Sequence, residues 1–336
     1  MASVLRDPVV VGGAVFAAGL HAWMLFVGEY VPYYDWPSHL GLISIFAHAS
    51  ETGAAAYFDR SWAPTPYLLF YLVSAALAQF MDVASAAKLA FCGASAGSTF
   101  AAAWLAATCG RDPRLGLIAP LSLFGYALGY GFVSFVFATP FALACWASVE
   151  ELLNAHREDR PRERPAVHVA LWLALCYLAH ALMILTVGLT VLLRVAVYCT
   201  LALRRGPRYA LSPVAWMAAA LAPTLGLVGT TLAVIYGRGL RDTETTANSD
   251  GPMFSWVTPS ERLSGWATYL IDRGDPAYRP IMFALLLLLG LMIAASLVPR
   301  WRTRPRRAGR APTPRWPRSR RWRRRRVPRQ GRHPAR

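Results

Sequence analysis

Long apolar runs without a charge alternate with short polar joints over most of this chain, and that pattern predicts transmembrane helices. Uninterrupted runs able to cross roughly 30 Å of hydrocarbon occupy Val9 to Val27, Leu89 to Ala107, Phe132 to Val149, Val214 to Tyr236 and Ile281 to Val298. Shorter or interrupted runs lie at Pro66 to Met81 and Leu115 to Leu128, and the block from Ala166 to Leu203 is long enough for a helical hairpin. Together they predict about eight or nine spans, all helical because a backbone in lipid must satisfy its own N–H and C=O groups. The expected fold class is all-α: a polytopic helical transmembrane bundle over residues 1–299, with an amphipathic juxtamembrane helix in its first outer loop.

Composition agrees with that reading. Of 336 residues 55% are hydrophobic and 16% charged, with a mean hydropathy of +0.34, too little polar surface for a soluble globule of this size. The first run follows Arg6, but Asp7 flanks it, its core is long and no persuasive small-x-small cleavage site precedes the polar loop. It reads as an uncleaved signal anchor, which gives a multi-pass protein of the cell (inner) membrane. Cys92, Cys109, Cys145, Cys176 and Cys199 lie in or at the ends of apolar runs without metal-like or paired spacing, as expected of packed thiols.

The formal net charge of +17 belongs to one segment. Residues 300–336 hold 17 of the 35 basic residues, all arginine, and no acid, so the remainder of the chain is electrically neutral. This Arg/Pro/Trp-rich tail is expected to lack a fold. As a polybasic segment it would gain about 1 kcal/mol per basic residue near anionic lipid. Nucleic acid is not an expected partner for a membrane protein. The preferred reading is out-of-frame translation of a GC-rich gene, which explains the missing acids and would make the chain a truncated enzyme.

Arginines between spans mark the cytoplasmic side. Placing Arg111 and Arg114, Arg157 to Arg164, and Arg204 to Arg208 inside makes Leu115 to Glu151 one hairpin, its tip at Gly125 to Phe132, and Ala166 to Leu203 another, its tip near His180. Both tips then face outward with the loop from Gly237 to Arg279, and with Arg6 inside the loop containing Asp35 is outside too. An odd number of crossings is then required between Trp62 and Thr108, where the pattern offers two apolar segments. Either Pro66 to Met81 is re-entrant, or Leu40 to Phe58 dips into the bilayer, or Arg111 and Arg114 lie outside. Arg194 interrupts an apolar run, where a central charge costs about 2.5–3.5 kcal/mol; it must snorkel or find an acid.

The candidate chemistry starts in the first outer loop, Tyr33-Tyr-Asp-Trp-Pro-Ser-His39. If a helix begins at Asp35, residues 35 and 39 share one face about 40° apart, where they could share a divalent metal, a proton or a hydroxyl. His48 falls about 180° away from His39 and does not join them. The competing reading makes Asp35 an N-cap, with Pro37 harmless in the first turn. Tyr30, Tyr33, Tyr34, Trp36, Trp62 and Tyr67 suit a sugar-stacking floor, although an interfacial aromatic belt calls for the same residues. Glu29 is a second carboxylate of lower weight. His180, in the apolar Tyr177-Leu-Ala-His-Ala-Leu182 tip, is an ionisable group at membrane depth and so a functional candidate, against the alternative of a histidine satisfied at the turn. In the Gly237 to Arg279 loop, Arg262 beside Trp256 and Trp266 suits a lid over a polar headgroup, with an arginine to clamp phosphate.

The order of these features resembles the C-type (GT-C) glycosyltransferase superfamily: an outer-loop acid after the first span, a Pro-Thr-Pro-Tyr-Leu-Leu-Phe-Tyr start to the next, a glycine-tyrosine tip, an apolar hairpin with His180 and a later outer loop. Asp35-Trp-Pro-Ser-His39 is similar to an Asp-x-Pro-x-His pattern in poorly characterised bacterial relatives of that superfamily. The resemblance covers roughly residues 9–298. It implies an extracytoplasmic active site, a polyprenyl-phosphate-linked sugar as donor, and the first-loop acid Asp35 as base or metal ligand, with His39 assisting and His180, Arg262, Trp256 and Trp266 against the substrate. A lipid phosphate leaves readily, so one carboxylate suffices to activate an acceptor hydroxyl. A glycoside hydrolase would need two opposed carboxyls. No Asp-x-Asp metal motif is present, so the cofactor is left open, with a divalent metal compatible. The alternatives are a non-enzymatic carrier or flippase for a polar lipid, with Arg194 and His180 on its pathway, and a structural membrane subunit.

Overall fold

The computed structural model describes residues 4–28, 31, 35–56, 64–123 and 132–237, all within one compact unit, Met1–Thr246. The described residues are helical or in turns between helices: α1 (Pro8–Phe26), α2 (Trp36–His48), α3 (Leu68–Leu77), α4 (Val83–Thr108), a 3-10 helix (Pro113–Leu123), α5 (Val133–Phe137), α6 (Thr139–Arg157), α7 (Glu163–Ala179), α8 (Ala181–Ala202) and α9 (Pro207–Gly237). Among the described residues five stretches are long and apolar enough to cross a membrane: α1, α4, α5 with α6, α8 with the turn that follows it, and α9. The run Ile281 to Val298, the tail and the loop after Gly237 lie outside the described residues.

Exposure follows the same logic. Val15, Phe16 and Trp23 on α1 and Leu185, Leu192 and Leu201 on α8 are all more than half exposed, while Ser95, Ser98, Thr99 and Ser148 are buried. Large apolar side chains outside and small polar ones between helices are what lipid as solvent selects. Helix α4 is the centre of the unit, packed on α1, α3, the 3-10 helix and α6. Its buried face is largely Ala and Ser, with Ala86, Ala87, Ala90, Ala94 and Ala103 among them, so neighbouring backbones approach closely. The nearest approach is at Gly116 of the 3-10 helix, where an added Cβ would lie 2.7 Å from the Ala103 Cα.

Polar contacts fix the direction of each helix. Arg114 reaches Asp7 (3.5 Å) and the Asn154 amide donates to the Thr108 carbonyl (3.0 Å), which gathers the start of α1, the end of α4 and the end of α6 at one end. His156 joins Tyr209 there (3.0 Å), adding the start of α9. At the other end the Lys88 ammonium donates to the Gly28 carbonyl (3.1 Å), and Tyr177, Thr231 and Pro64 are linked in sequence. Arg114 therefore shares an end with Arg6, as the arginine pattern predicts.

That arrangement answers the crossing problem. Helix α3 has 10 residues, about 15 Å of rise, half of what hydrocarbon requires. Its C-terminus turns directly into Asp82 at the head of α4, so between Pro66 and Thr108 α4 alone connects the two ends of the unit. The Ala166 to Leu203 block forms the expected hairpin, breaking at His180, whose extended backbone (φ −166°, ψ 129°) is the only residue between α7 and α8.

Two charges that interrupt the apolar pattern are accounted for by partners. Arg194 of α8 and Glu150 of α6 form a two-pronged pair, Nε to Oε1 and Nη2 to Oε2 (2.8 Å). The unidentified acid is thus Glu150, 8% exposed, and α6 runs on to Arg157 because its carboxylate is neutralised inside the bundle. Of the cysteines, Cys92, Cys145 and Cys176 are buried and Cys199 partly so. Cys109 departs from the expectation of packed thiols: it caps the exposed end of α4.

Candidate functional site

Among the described residues three aspartates stand immediately before α-helices, and they do not do the same work. Asp7 accepts the Val9 N–H (2.9 Å) and Asp82 accepts the Ser85 N–H (2.8 Å), each satisfying a donor that a helix start leaves unpaired. Asp35 occupies the same place before α2, and its backbone carbonyl accepts the His39 N–H (3.1 Å), but its side chain makes no capping bond. Its backbone (φ −92°, ψ 5°) is not the extended conformation that points a capping oxygen at the helix. The N-cap reading of Asp35 is thereby corrected: the position is that of a cap, yet the carboxylate is not engaged in one.

The face shared by residues 35 and 39 meets Tyr71. His39 Nδ1 lies 2.8 Å from the Tyr71 hydroxyl, with the rings 5.7 Å apart, and Phe46 stacks on the other side of Tyr71 at 6.4 Å. An ordinary tyrosine hydroxyl is a neutral phenol at physiological pH, able to donate one hydrogen bond and to accept others. The bond to Tyr71 fixes the plane of the His39 ring, with donor and acceptor set by the His39 tautomer. An imidazole and a phenol therefore meet on α2 one turn beyond Asp35, and His48 is turned away to Glu51 (3.4 Å), as the helical spacing predicts.

Tyr67 extends the group. It precedes α3 in the left-handed region (φ 75°), unusual for a non-glycine residue, and its ring meets the His180 ring edge-on at 4.4 Å. Phe135 closes the far side of His180 at 5.2 Å. The His180 Nδ1 accepts the Leu182 N–H (3.1 Å) and so caps α8; an accepting Nδ1 means a neutral ring. At 2% exposure His180 is seated behind Tyr67, and its visible work is to end one helix and begin the next. The order His39, Tyr71, Tyr67, His180 thus joins α2, α3 and the α7–α8 break at one end of the unit.

Lys88 escaped the sequence reading, which began the second long run just after it. It is 5% exposed, held by the Gly28 carbonyl and lying over the Phe26 ring (5.1 Å), so a buried cation stands at the end of the unit where α2 and α3 pack. The signal was present in sequence, since a lysine beside a span with no neighbouring acid must be at an interface or bound. His21, also passed over, sits mid-span between Ala17 O (2.8 Å) and Ser95 Oγ (2.8 Å) and ties α1 to α4. Among the described residues no three His, Cys, Asp or Glu side chains converge as metal ligands. Glu29, Tyr30, Tyr33, Tyr34, Trp62, the Gly125 to Gly131 tip, Trp256, Arg262 and Trp266 lie outside the described residues. No family model, curated protein or solved structure matches the chain.

Proposed function

We propose that this chain is a GT-C-like glycosyltransferase of the cell (inner) membrane, with eight or so spans, that transfers a sugar from a polyprenyl-phosphate donor at its extracytoplasmic face. Asp35 is the base that takes the proton of an acceptor hydroxyl, and His39, held by Tyr71, assists it. The observation that carries this reading is the contrast among the three described aspartates that lead α-helices: two are occupied by capping and Asp35 is not, while His39 on its helix is held by Tyr71. Lys88 at the same end suits the departing phosphate, which needs a cation more than a proton. The carrier reading loses its main motive, because the Arg194 charge is met by Glu150.

The test is transfer from a polyprenyl-phosphate-linked sugar in membranes carrying Asp35→Asn. Loss of a general base should lower turnover by about 10²–10⁴-fold at unchanged protein level. Turnover equal to wild type removes Asp35 from the chemistry.

A further inference from the structure

The opposite end of the unit holds a second polar feature, unrelated to Asp35. Between the end of α6, the last turns of α8 and the start of α9 lies a cavity of about 200 Å³ lined by Arg157, Tyr198, Leu201, Ala202, Arg205 and Tyr209. Each guanidinium lies over a tyrosine ring, Arg157 on Tyr198 at 5.8 Å and Arg205 on Tyr209 at 5.4 Å, and Arg205 also donates to the Tyr209 hydroxyl (2.9 Å). The tyrosines are themselves fixed: Tyr198 is 7% exposed, and the Tyr209 backbone is tied to His156 (3.0 Å).

Other arginines at this end are matched by acids, Arg160 with Glu158 (2.7 Å) and Arg162 with Asp159 (3.3 Å). Arg157 and Arg205 enter no ion pair among the described residues, and no carboxylate lines the cavity. Each guanidinium carries five N–H donors, and Arg205 uses one on the Tyr209 hydroxyl, so the donors that remain on the two side chains suit the oxygens of a phosphate. The chemistry of the wall decides where such a phosphate comes from. Leu201 belongs both to the cavity and to an exposed stripe on α8, Leu189, Leu193, Val197 and Leu201, which runs into it at helical spacing. A soluble anion needs no such stripe, whereas an acyl chain does.

We propose that this cavity seats the phosphate of an anionic phospholipid from the arginine-rich side of the membrane, its acyl chain lying along the α8 stripe. Basic pockets between spans on that side bind acidic headgroups in this way. The site is independent of any transfer reaction at Asp35.

The test uses the full chain in mixed micelles with a photoreactive residue at position 201, illuminated with labelled phosphatidylglycerol or phosphatidylcholine. Phosphatidylglycerol should be captured at least fivefold more than phosphatidylcholine, and Arg157→Gln with Arg205→Gln should reduce that ratio to below twofold. A photoreactive residue at position 16, on the exposed face of α1 and away from the α8 stripe, should show little preference in either background. That control reports general enrichment by the arginine-rich residues 300–336, and its unchanged capture shows that the double variant is folded. A ratio below fivefold at position 201, or one retained in the double variant, overturns the proposal. So does full competition by millimolar inorganic phosphate, which would identify a soluble-anion site.

Discussion

The pair between Arg194 and Glu150 allows the strongest quantitative test of the helix arrangement. Replacing Arg194 by Leu leaves the Glu150 carboxylate, whose side chain is 11% exposed, without its cation. Loss of one partner of a buried pair costs about 3–5 kcal/mol, whereas a solvent-exposed pair is worth at most about 1 kcal/mol. Arg194 is 28% exposed and stands eight residues, about 12 Å, from the end of α8, so part of its charge is already solvated. Those facts place the cost of Arg194→Leu at about 2–4 kcal/mol, with Glu150→Gln in the same range because it strands the guanidinium. The double variant leaves no unpaired charge and should be more stable than the sum of the two losses by about 1.5–3 kcal/mol. Reversible unfolding of the purified protein in mixed micelles with increasing dodecyl sulfate, followed by tryptophan fluorescence, measures all four members of the cycle. A coupling energy below about 0.5 kcal/mol would mean that α6 and α8 do not meet at these residues, and the directions assigned to both helices would fail with it.

Three further outcomes are expected. Tyr71→Phe removes the hydroxyl beside His39 Nδ1, so stability should fall by only about 1 kcal/mol while sugar transfer falls at least tenfold; transfer at the wild-type rate would separate Tyr71 from the site. Gly116→Val drives side-chain atoms into the Ala103 backbone and should destabilise by about 1–3 kcal/mol or abolish accumulation in membranes, and a neutral effect would show that the 3-10 helix lies farther from α4. Asp82→Ala should cost about 1 kcal/mol as a lost cap. Ser85 donates to the Asp82 carboxylate and holds its carboxyl below the usual range, so the contribution is complete above about pH 4 and disappears as the pH falls through the folded-state value. A difference between wild type and Asp82→Ala that did not shrink on acidification would contradict that capping role.

Much of the helix layout is legible in the apolar pattern, and the departures have physical causes. Val9 to Val27 and Val214 to Tyr236 reappear within a few residues as α1 and most of α9, and the arginine rule assigns Arg114 to the end where it meets Asp7. The boundaries fail where a charge is buried. Helix α4 begins six residues before Leu89, because Lys88 is bound to Gly28, and α6 passes Val149 because Arg194 balances Glu150. Neither partner is near in sequence, so hydropathy cannot reveal it. At the candidate site the 35/39 spacing placed two residues on one face. Tyr71, 32 positions beyond His39, belonged to a segment whose depth in the bilayer the sequence left open. Its role follows from the shortness of α3, which brings the start of that helix against α2.

The 3-10 helix from Pro113 to Leu123 has a consequence for reading any similar chain. At about 2.0 Å of rise per residue, its 11 residues advance about 22 Å, most of a hydrocarbon thickness, whereas an α-helix would need about 15 for the same distance. A sliding hydropathy scan of about 19 residues averages such a stretch with its polar flanks and passes over it. In any chain where such a stretch crosses the bilayer, the scan would assign every downstream loop to the opposite side.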